Sequence, residues 1–208
     1  VKEAIAMVGA ELPFERASEL LEEIGNVSVG KQKTEQISEE MGLGIERQTE
    51  EEQKKYWETE EVEEMKDIPP PEYLYVSADG TCVNTEEGWK EAKSGVVFSA
   101  RSGLEGPVRE KTTYIGSFDN SEEFGKRLYL EAYKSGLEKA KEVIAIGDGA
   151  KWIWNETQTH FGKVTEIVDW YHATERIWDI GRMIHKNDTA GLEKWVNPRL
   201  EYLKNGRI

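Results

Sequence analysis

Residues 142–149 read Glu-Val-Ile-Ala-Ile-Gly-Asp-Gly, and this short stretch decides the fold class. Four consecutive apolar residues without alternation are typical of a strand that is covered on both faces of a sheet. Gly147-Asp148-Gly149 ends the run, and a helical pattern that carries Trp152 and Trp154 follows it. A covered strand that leads directly into a helix is typical of α/β domains. The stretch therefore predicts an α/β fold.

The neighbouring sequence carries the same kinds of element. Asn120 and Glu123 have capping-box spacing and open a helix with a regular apolar stripe: Phe124, Leu128, Ala132, Leu137 and Ala140. Short apolar or β-branched runs predict strands at residues 73–78, 95–100, 111–115 and 164–168. A last helix carries Ile177, Trp178, Ile180 and Ile184. This order predicts a mixed sheet, with a three-strand meander and then alternating helices and strands.

The first third of the chain has a helical pattern. Residues 14–24 have helical apolar spacing and stop at Gly25-Asn26, and Ser28 is placed to cap a second helix that ends near Gly42. Two short helices across a tight turn fit a helix-turn-helix. The glutamates of the second helix suit a major groove poorly and favour a helical hairpin that packs on another element. Residues 46–67 are an acidic run, expected to be a solvated helix or a flexible connector.

Three consecutive prolines at residues 69–71 mark the clearest boundary, because proline neither continues a helix nor pairs within a sheet. We expect an acidic helical region at 1–68, a linker at 69–72 and the α/β domain at 73–208. Residues 1–72 hold 8 basic and 20 acidic residues, against 19 and 21 in residues 73–208. The net charge of −14 argues against nucleic acid as a partner, but that charge belongs to the first region.

Composition and motifs exclude several classes of protein. With 7 Trp, 8 Tyr and 5 Phe, the chain is too aromatic to be disordered. No apolar run approaches the roughly 20 residues of a membrane span, and no secretory signal is visible, so we expect no membrane partner. The single cysteine, Cys82, predicts a reducing, cytoplasmic setting. The motifs of nucleotide hydrolases, dinucleotide-binding proteins and serine hydrolases are missing from the sequence.

Asp79 and Asp148 are the strongest candidates for chemistry. Each follows an apolar strand and precedes a glycine, and ligands of α/β sheets bind beyond the carboxyl ends of strands. If the first and fourth strands are neighbours, the two carboxylates meet and need a cation between them. Oxygen ligands favour Mg²⁺ or Mn²⁺, and two such ions about 4 Å apart support in-line attack on a phosphodiester. Asp-Gly is also a common tight-turn dipeptide, so either position taken alone favours a turn.

Asp169 and His172 follow the next strand at a spacing that places both on one helix face. They could orient a phosphate or support a metal centre. The spacing alone favours a helix cap, with the histidine packed in the first turn. His160 and His185 have no acidic or cysteine partner at metal-site spacing and are expected to be ordinary surface or packing residues.

Aromatic and basic residues surround these acidic positions. Four tryptophans could stack on bases, but most are expected to be core residues: Trp152, Trp154, Trp170 and Trp178. Five basic residues lie on or between the early strands: Lys90, Lys93, Arg101, Arg109 and Lys111. They could contact phosphates, but a solvated sheet face is the simpler interpretation.

Four segments together resemble bacterial insertion-sequence transposases of the DDE class, in the neighbourhood of the Mutator-like group. They are Tyr-Val-Ser-Ala-Asp-Gly-Thr at 75–81, Trp-Lys-Glu-Ala-Lys at 89–93, Ile-Gly-Asp-Gly-Ala-Lys-Trp-Ile-Trp at 146–154 and Ile-Val-Asp-Trp-Tyr-His-Ala at 167–173. These transposases have a ribonuclease H-like catalytic domain. Residues 14–42 are similar to the small helical region that precedes it.

The resemblance implies roles for individual residues. Asp79 and Asp148 would be the first and second metal-binding acids, with Mg²⁺ or Mn²⁺ in a two-metal site. Asp169 and His172 would be the accessory pair that matches the Cys/Asp-x-x-His signature of the group. The third acid, a glutamate on a late helix, would lie beyond residue 208, and none of the available glutamates is assigned: Glu175, Glu193 and Glu201. The chain would then lack the C-terminal part of the catalytic domain.

The implied function is metal-dependent cleavage of DNA and transfer of a 3′ end into target DNA by a homo-oligomer on paired transposon ends, associated with the nucleoid. Two alternatives remain open. One is a metal-dependent nuclease on the same fold, which needs a further acid near Asp79 and Asp148, from residues 86–91 for example. The other is a non-catalytic transposase remnant that binds DNA or protein.

Overall fold

The structure of the chain, a computed structural model, describes residues 1–59, 69–104 and 106–207. The chain divides into two compact units, Val1–Glu63 and Glu64–Ile208. The first holds helices α1 (Lys2–Glu11), α2 (Phe14–Gly25) and α3 (Lys31–Thr59). The second holds β1 (Tyr73–Thr85), β2 (Gly88–Gly103), β3 (Gly106–Ser117), α4 (Ser121–Lys134), β4 (Glu142–Gly147), α5 (Lys151–Phe161), β5 (Thr165–Val168), α6 (Trp170–Ile184) and α7 (Thr189–Lys204).

The first unit packs one apolar residue from each helix into a small core. Ile5 of α1, Leu21 of α2 and Ile37 of α3 are buried against each other. The left-handed conformation of Asn26, with φ of 49°, ends α2 at the predicted place. Helix α1 was not predicted, because its sequence alternates small and apolar residues without a clear stripe.

The second predicted helix of this unit is longer than predicted. Helix α3 begins at Lys31, and its first turn uses the carbonyl oxygen of Gly30, so the predicted Ser28 cap is wrong. It continues past Gly42 to Thr59, because a helical glycine weakens a helix but does not end it. The acidic run is therefore helical as far as Thr59. Residues 60–67 of the acidic run, which include the apolar Val62 and Met65, lie outside the described residues.

The second unit is built on one mixed sheet with the strand order β3-β2-β1-β4-β5. Strands β1, β2 and β3 form an antiparallel meander. Strand β4 pairs in parallel with β1, and β5 pairs in parallel with β4. The predicted α/β class is confirmed, and the sheet with its helices is consistent with a ribonuclease H-like fold preceded by a helical region.

The meander strands extend well beyond their predicted ends. Strand β1 does not stop at Ala78 but continues to Thr85, and Asp79 and Gly80 pair with Ser94 and Lys93 of β2. A tight turn at Asp79-Gly80 is therefore wrong, and so is the prediction that the first strand ends there. The hairpin turn lies at residues 86–87 instead. The sequence does not predict this extension, because the second half of β1 is polar and both of its faces are largely exposed.

Helices α4 and α5 cover one face of the sheet with a single apolar core. Phe124 and Leu128 of α4 and Ile153 of α5 are buried against Val76 and Val97 of the sheet. Asn120 caps α4 as predicted, with Oδ1 accepting a hydrogen bond from the Glu123 amide at 3.0 Å. The helix ends before the end of its predicted stripe, at Lys134, where Gly136 follows with φ of 92°.

The last two helices form a separate pair beyond β5. Helix α7 packs closely on α6 at Gly181, where an added Cβ would lie 2.7 Å from Leu192 and 2.9 Å from Val196. Helix α7 was not predicted, because Pro198 and a mixed polar pattern obscure its period. None of the helices in the described part of the chain combines the length and apolarity needed to cross a membrane.

Candidate functional site

Three aspartates continue one row of residues across the parallel part of the sheet. Ala78 of β1 pairs with Gly147 of β4, and Gly147 pairs with Val168 of β5. Asp79, Asp148 and Asp169 are the residues that follow directly on these three. The parallel register therefore brings the three predicted aspartates to the same edge of the sheet, at the carboxyl ends of β4 and β5.

Asp79 is carried by a strand that continues past it. Ala78 is buried in the helix-covered core, so strand alternation directs Asp79 to the other face. The Asp79 side chain is exposed, and its Oδ1 accepts a hydrogen bond of 2.8 Å from the Gly80 amide. Pairing with Ser94 of β2 holds the backbone at this position, so the carboxylate stands on a rigid strand.

Asp148 stands where β4 changes into α5. It is half-buried, and its Oδ1 accepts a hydrogen bond of 2.7 Å from the Ala150 amide. Gly149, with φ of 95°, makes this turn into the helix possible because it has no Cβ. The Asp148 turn therefore leads from strand to helix as the sequence predicts.

Each of these carboxylates keeps one oxygen available. Within residues 69–104 and 106–207, no hydrogen bond reaches Oδ2 of Asp79 or Asp148, and no Lys, Arg or His nitrogen lies within 4.0 Å of either side chain. Among the described residues, no group of three or more His, Cys, Asp or Glu is close enough to form a metal site. The arrangement offers two carboxylates on adjacent strands as ligands.

Asp169 both caps a helix and contacts the predicted histidine. Its Oδ1 accepts hydrogen bonds from the amides of Tyr171 at 2.9 Å and His172 at 3.2 Å, which caps α6. The same oxygen lies 3.1 Å from Nδ1 of His172. The Asp169 amide in turn donates a 2.8 Å hydrogen bond to the Gly147 carbonyl oxygen. The helix cap and the Asp169–His172 contact thus share one oxygen atom, Oδ1 of Asp169, and both lie beside Asp148.

A shallow groove runs along α6 from this pair. Its volume is about 380 Å³, and it is lined by Tyr171, His172, Thr174, Glu175, Trp178 and Arg182. Trp178 is half-buried here instead of contributing to the sheet core. Trp152 and Trp154 do pack against that core, as predicted, whereas Trp170 is 43% exposed.

The five basic residues of the meander do not form one solvated face. Lys93 is buried, with a side chain only 6% exposed, and contradicts that interpretation. Arg101 pairs with Glu110 at 3.0 Å, and the guanidinium of Arg109 lies 4.1 Å from the Phe98 ring centre. No local pattern predicts the burial of Lys93, because it lies in a polar stretch between Trp89 and Ser94.

His160 is a packing residue, as predicted, but it has an acidic neighbour. Its Nε2 lies 3.4 Å from Oε2 of Glu156, one helical turn earlier in α5. Burial lowers the pKa of His160 below the ordinary value of 6.5, and Glu156 opposes that shift. His185 follows α6 and is half-buried, and its carbonyl oxygen accepts a hydrogen bond of 2.8 Å from the Asp188 amide in the connection to α7.

Residues 2–197 match a family described as Uncharacterised protein family (UPF0236). The match covers both units of the chain, including all four predicted site residues. A search of curated proteins finds no match to the chain.

Proposed function

The chain belongs to the uncharacterised protein family UPF0236, and we propose that it is a DNA transposase of the DDE class. The proposal rests on one observation: Asp79 and Asp148 follow directly on the paired residues Ala78 and Gly147 of two parallel strands. In this class, two aspartates at adjacent strand ends hold the divalent ions that cleave and join DNA. The proposed partners are transposon ends and target DNA, bound by a homo-oligomer associated with the nucleoid.

The donor chemistry of the two aspartates fits divalent cations. Both supply carboxylate oxygens, the ligand type that Mg²⁺ and Mn²⁺ prefer. Each holds one oxygen in a backbone hydrogen bond, which orients the carboxylate and leaves Oδ2 for a ligand. Bound ions would supply Lewis-acid stabilisation of a phosphodiester and a water or 3′-hydroxyl nucleophile of lowered pKa.

The residues of the chain have distinct parts in this proposal. Asp79 and Asp148 bind and space the cations, since both stand on backbone held by the sheet. Asp169 orients His172 through the 3.1 Å contact, and His172, whose side chain is 41% exposed, would hydrogen-bond a phosphate oxygen of the DNA. A third carboxylate is not assigned, because no described glutamate joins the pair in a cluster.

The nuclease alternative needs a further acid beside this pair. Among the acids of residues 86–91, Glu91 lies nearest to Asp79 along the paired strands β1 and β2. Oε2 of Glu91 is bound to Lys93 at 2.7 Å. Glu91 also pairs with Cys82 across β1 and β2, and a Cβ on Gly80 would lie 2.9 Å from its Oε1. Alternation places Gly80 and Cys82 on the face opposite Asp79. The observations therefore favour a transposase site over this nuclease site.

The proposal is tested by strand cleavage. The product of the complete open reading frame of its gene is incubated with Mn²⁺ and a plasmid that carries the DNA flanking that gene, and nicks are mapped at nucleotide resolution. We expect Mn²⁺-dependent nicks at the element ends, and at least about 100-fold less nicking in Asp79→Asn and in Asp148→Asn, since each substitution removes a charged ligand worth several kcal/mol.

Glu142→Gln is the matched control, because Glu142 is an exposed acid at the other end of the same strand β4. It should nick like the unsubstituted chain. Equal nicking by Asp148→Asn would overturn the catalytic proposal. DNA binding without any nicking, unchanged in Asp148→Ala, would instead support a non-catalytic remnant. Nicking at random positions that still needs both aspartates would support the nuclease.

A further inference from the structure

Lys93 is a buried cation next to the candidate site. Its side chain is 6% exposed, although lysine rarely leaves solvent unless it is paired. Nζ donates to Oε2 of Glu91 at 2.7 Å and to the carbonyl oxygen of Asp119 at 3.1 Å. It also lies 5.6 Å from the ring centre of Trp152. These four residues are here called the Lys93 cluster.

Members of the Lys93 cluster lie beside the backbone next to Asp79 and beside the backbone next to Asp148. Lys93 pairs across the sheet with Gly80, the residue directly after Asp79. Trp152 lies in the first turn of α5, two residues after the Ala150 amide that orients Asp148. Asp119 belongs to the connection between β3 and α4, where its Oδ2 lies 2.7 Å from Nε of Arg127. One ammonium therefore joins three segments at this end of the sheet.

Gly80 supplies an independent sign that the Lys93 cluster is closely packed. A Cβ at this position would lie 2.9 Å from Oε1 of Glu91 and 3.6 Å from the ring of Trp152. The φ angle of Gly80 is not positive, so the backbone conformation does not require glycine here. The Glu91 carboxylate and the Trp152 ring therefore lie directly against the strand at Gly80, and an added Cβ would displace only the carboxylate.

We propose that Lys93 is a positioning residue for the Asp79–Asp148 pair, an inference that rests on the proposed metal-dependent function. Lys93 holds Glu91 and Trp152 against Gly80, and this contact fixes the start of α5 relative to β1. The start of α5 in turn sets the place of Asp148 beside Asp79. Lys93 contacts neither the cations nor DNA in this proposal and acts only through the spacing of the two carboxylates.

The test measures Mn²⁺ affinity directly, by electron paramagnetic resonance of the free ion, in the unsubstituted chain, Lys93→Met and Lys93→Arg. We expect Lys93→Met to weaken binding by about 10-fold or more, as loss of an outer-shell partner does at other metal sites. Lys93→Arg keeps the charge and should retain most of the affinity. Leu128→Ala is the control, because Leu128 is buried in the same core but is not one of the four residues of the Lys93 cluster.

Equal Mn²⁺ affinity in Lys93→Met and the unsubstituted chain would overturn the inference. So would an equal loss in Leu128→Ala, which would show that lower stability alone weakens binding. If Lys93→Met does not fold, Glu91→Gln and Gly80→Ala replace it, because Glu91 is 49% exposed and Gly80→Ala displaces only its carboxylate. Both should then weaken Mn²⁺ binding, and unchanged affinity in both would overturn the inference.

A metal-free measurement separates this inference from the proposed function. If the unsubstituted chain does not bind Mn²⁺, the metal-dependent function fails. The spacing is then measured as the rate of disulfide formation between cysteines at positions 79 and 148, in a Cys82→Ser background. Lys93→Met should slow this rate several-fold and Leu128→Ala should not. Equal rates would show that Lys93 does not set the spacing.

Discussion

The amide nitrogen of Asp169 donates a hydrogen bond of 2.8 Å to the carbonyl oxygen of Gly147, the residue directly before Asp148. This bond belongs to Gly147–Val168, the last pair of the parallel register between β4 and β5. It places the cap of α6 beside the turn into α5. The two acidic turns of the site are therefore held by backbone hydrogen bonds, which do not depend on a bound ion.

The same register predicts that Asp79 and Asp148 can be joined covalently. Neighbouring parallel strands bring in-register Cα atoms to about 5 Å, within the range that a disulfide spans. The double variant Asp79→Cys/Asp148→Cys, in a Cys82→Ser background, should form an intramolecular disulfide under mild oxidation, measured by mass spectrometry. Asp79→Cys/Glu142→Cys should form none, because Glu142 pairs with Tyr73, six residues away along β1. A free dithiol in the first variant would contradict the register.

Asp169 should show separate effects on stability and on cleavage. Asp169→Ala removes the acceptor of the Tyr171 and His172 amides, which should lower the free energy of unfolding by about 1 kcal/mol. Asp169→Asn keeps a capping oxygen and should lose little stability, but it removes the charge beside His172 Nδ1. We therefore expect Asp169→Asn to nick DNA more slowly at nearly unchanged stability, in denaturant titrations and nicking assays run together. Full nicking by Asp169→Asn would show that Asp169 acts only as a helix cap and has no role in cleavage.

His160 should make the chain less stable in mild acid. Burial lowers its pKa below 6.5, against the opposing effects of Glu156 and, from α4, Glu122, while Lys126 of α4 adds to the lowering. The unfolded chain then binds a proton near pH 6.5 that the folded chain resists. Stability is fully present above pH 6.5 and is lost as the pH falls below it.

The measurement is the free energy of unfolding at pH 7.5 and pH 5.5, for the unsubstituted chain and for His160→Gln. His160→Gln loses packing at both pH values but lacks the titrating ring. The drop between the two pH values should therefore be smaller in His160→Gln, and an equal drop would show that other groups cause the acid effect.

The sequence predicts the elements with a clear apolar pattern, such as β4 and α4, but not the half of β1 that is held by pairing alone. The run at 143–146 and the stripe from Phe124 to Ala132 are visible in the sequence, because burial leaves an unbroken apolar run in the first and a helical period in the second. The second half of β1 carries no such period, since residues such as Asp79 and Thr81 are exposed and only their hydrogen bonds to β2 make them a strand. Its length therefore became visible only in the paired sheet.

The residues of the candidate site also divide into those that the sequence predicts and those that it does not. Asp79, Asp148 and Asp169 are predictable, because each directly follows an apolar run and the carboxyl ends of parallel strands meet at one edge. Lys93 is not predictable, because its burial depends on Glu91, Asp119 and Trp152, which come from three separate segments. Residues that support a site through such distant contacts leave no local pattern.

Replacement of two glycines inside α3 by alanine should increase the stability of the first unit. An added Cβ at Gly42 or Gly44 would meet nothing within 4 Å, and neither residue has a positive φ. Gly42→Ala/Gly44→Ala should therefore raise the free energy of unfolding of the first unit by about 1–2 kcal/mol, since each helical glycine costs roughly 0.5–1 kcal/mol relative to alanine. Denaturant titration followed by circular dichroism at 222 nm measures the change. Gly9→Ala is the matched control, because its Cβ would collide with Oγ of Ser38 where α1 packs on α3, so it should destabilise the unit. A loss of stability in Gly42→Ala/Gly44→Ala would mean that α3 is interrupted at these residues.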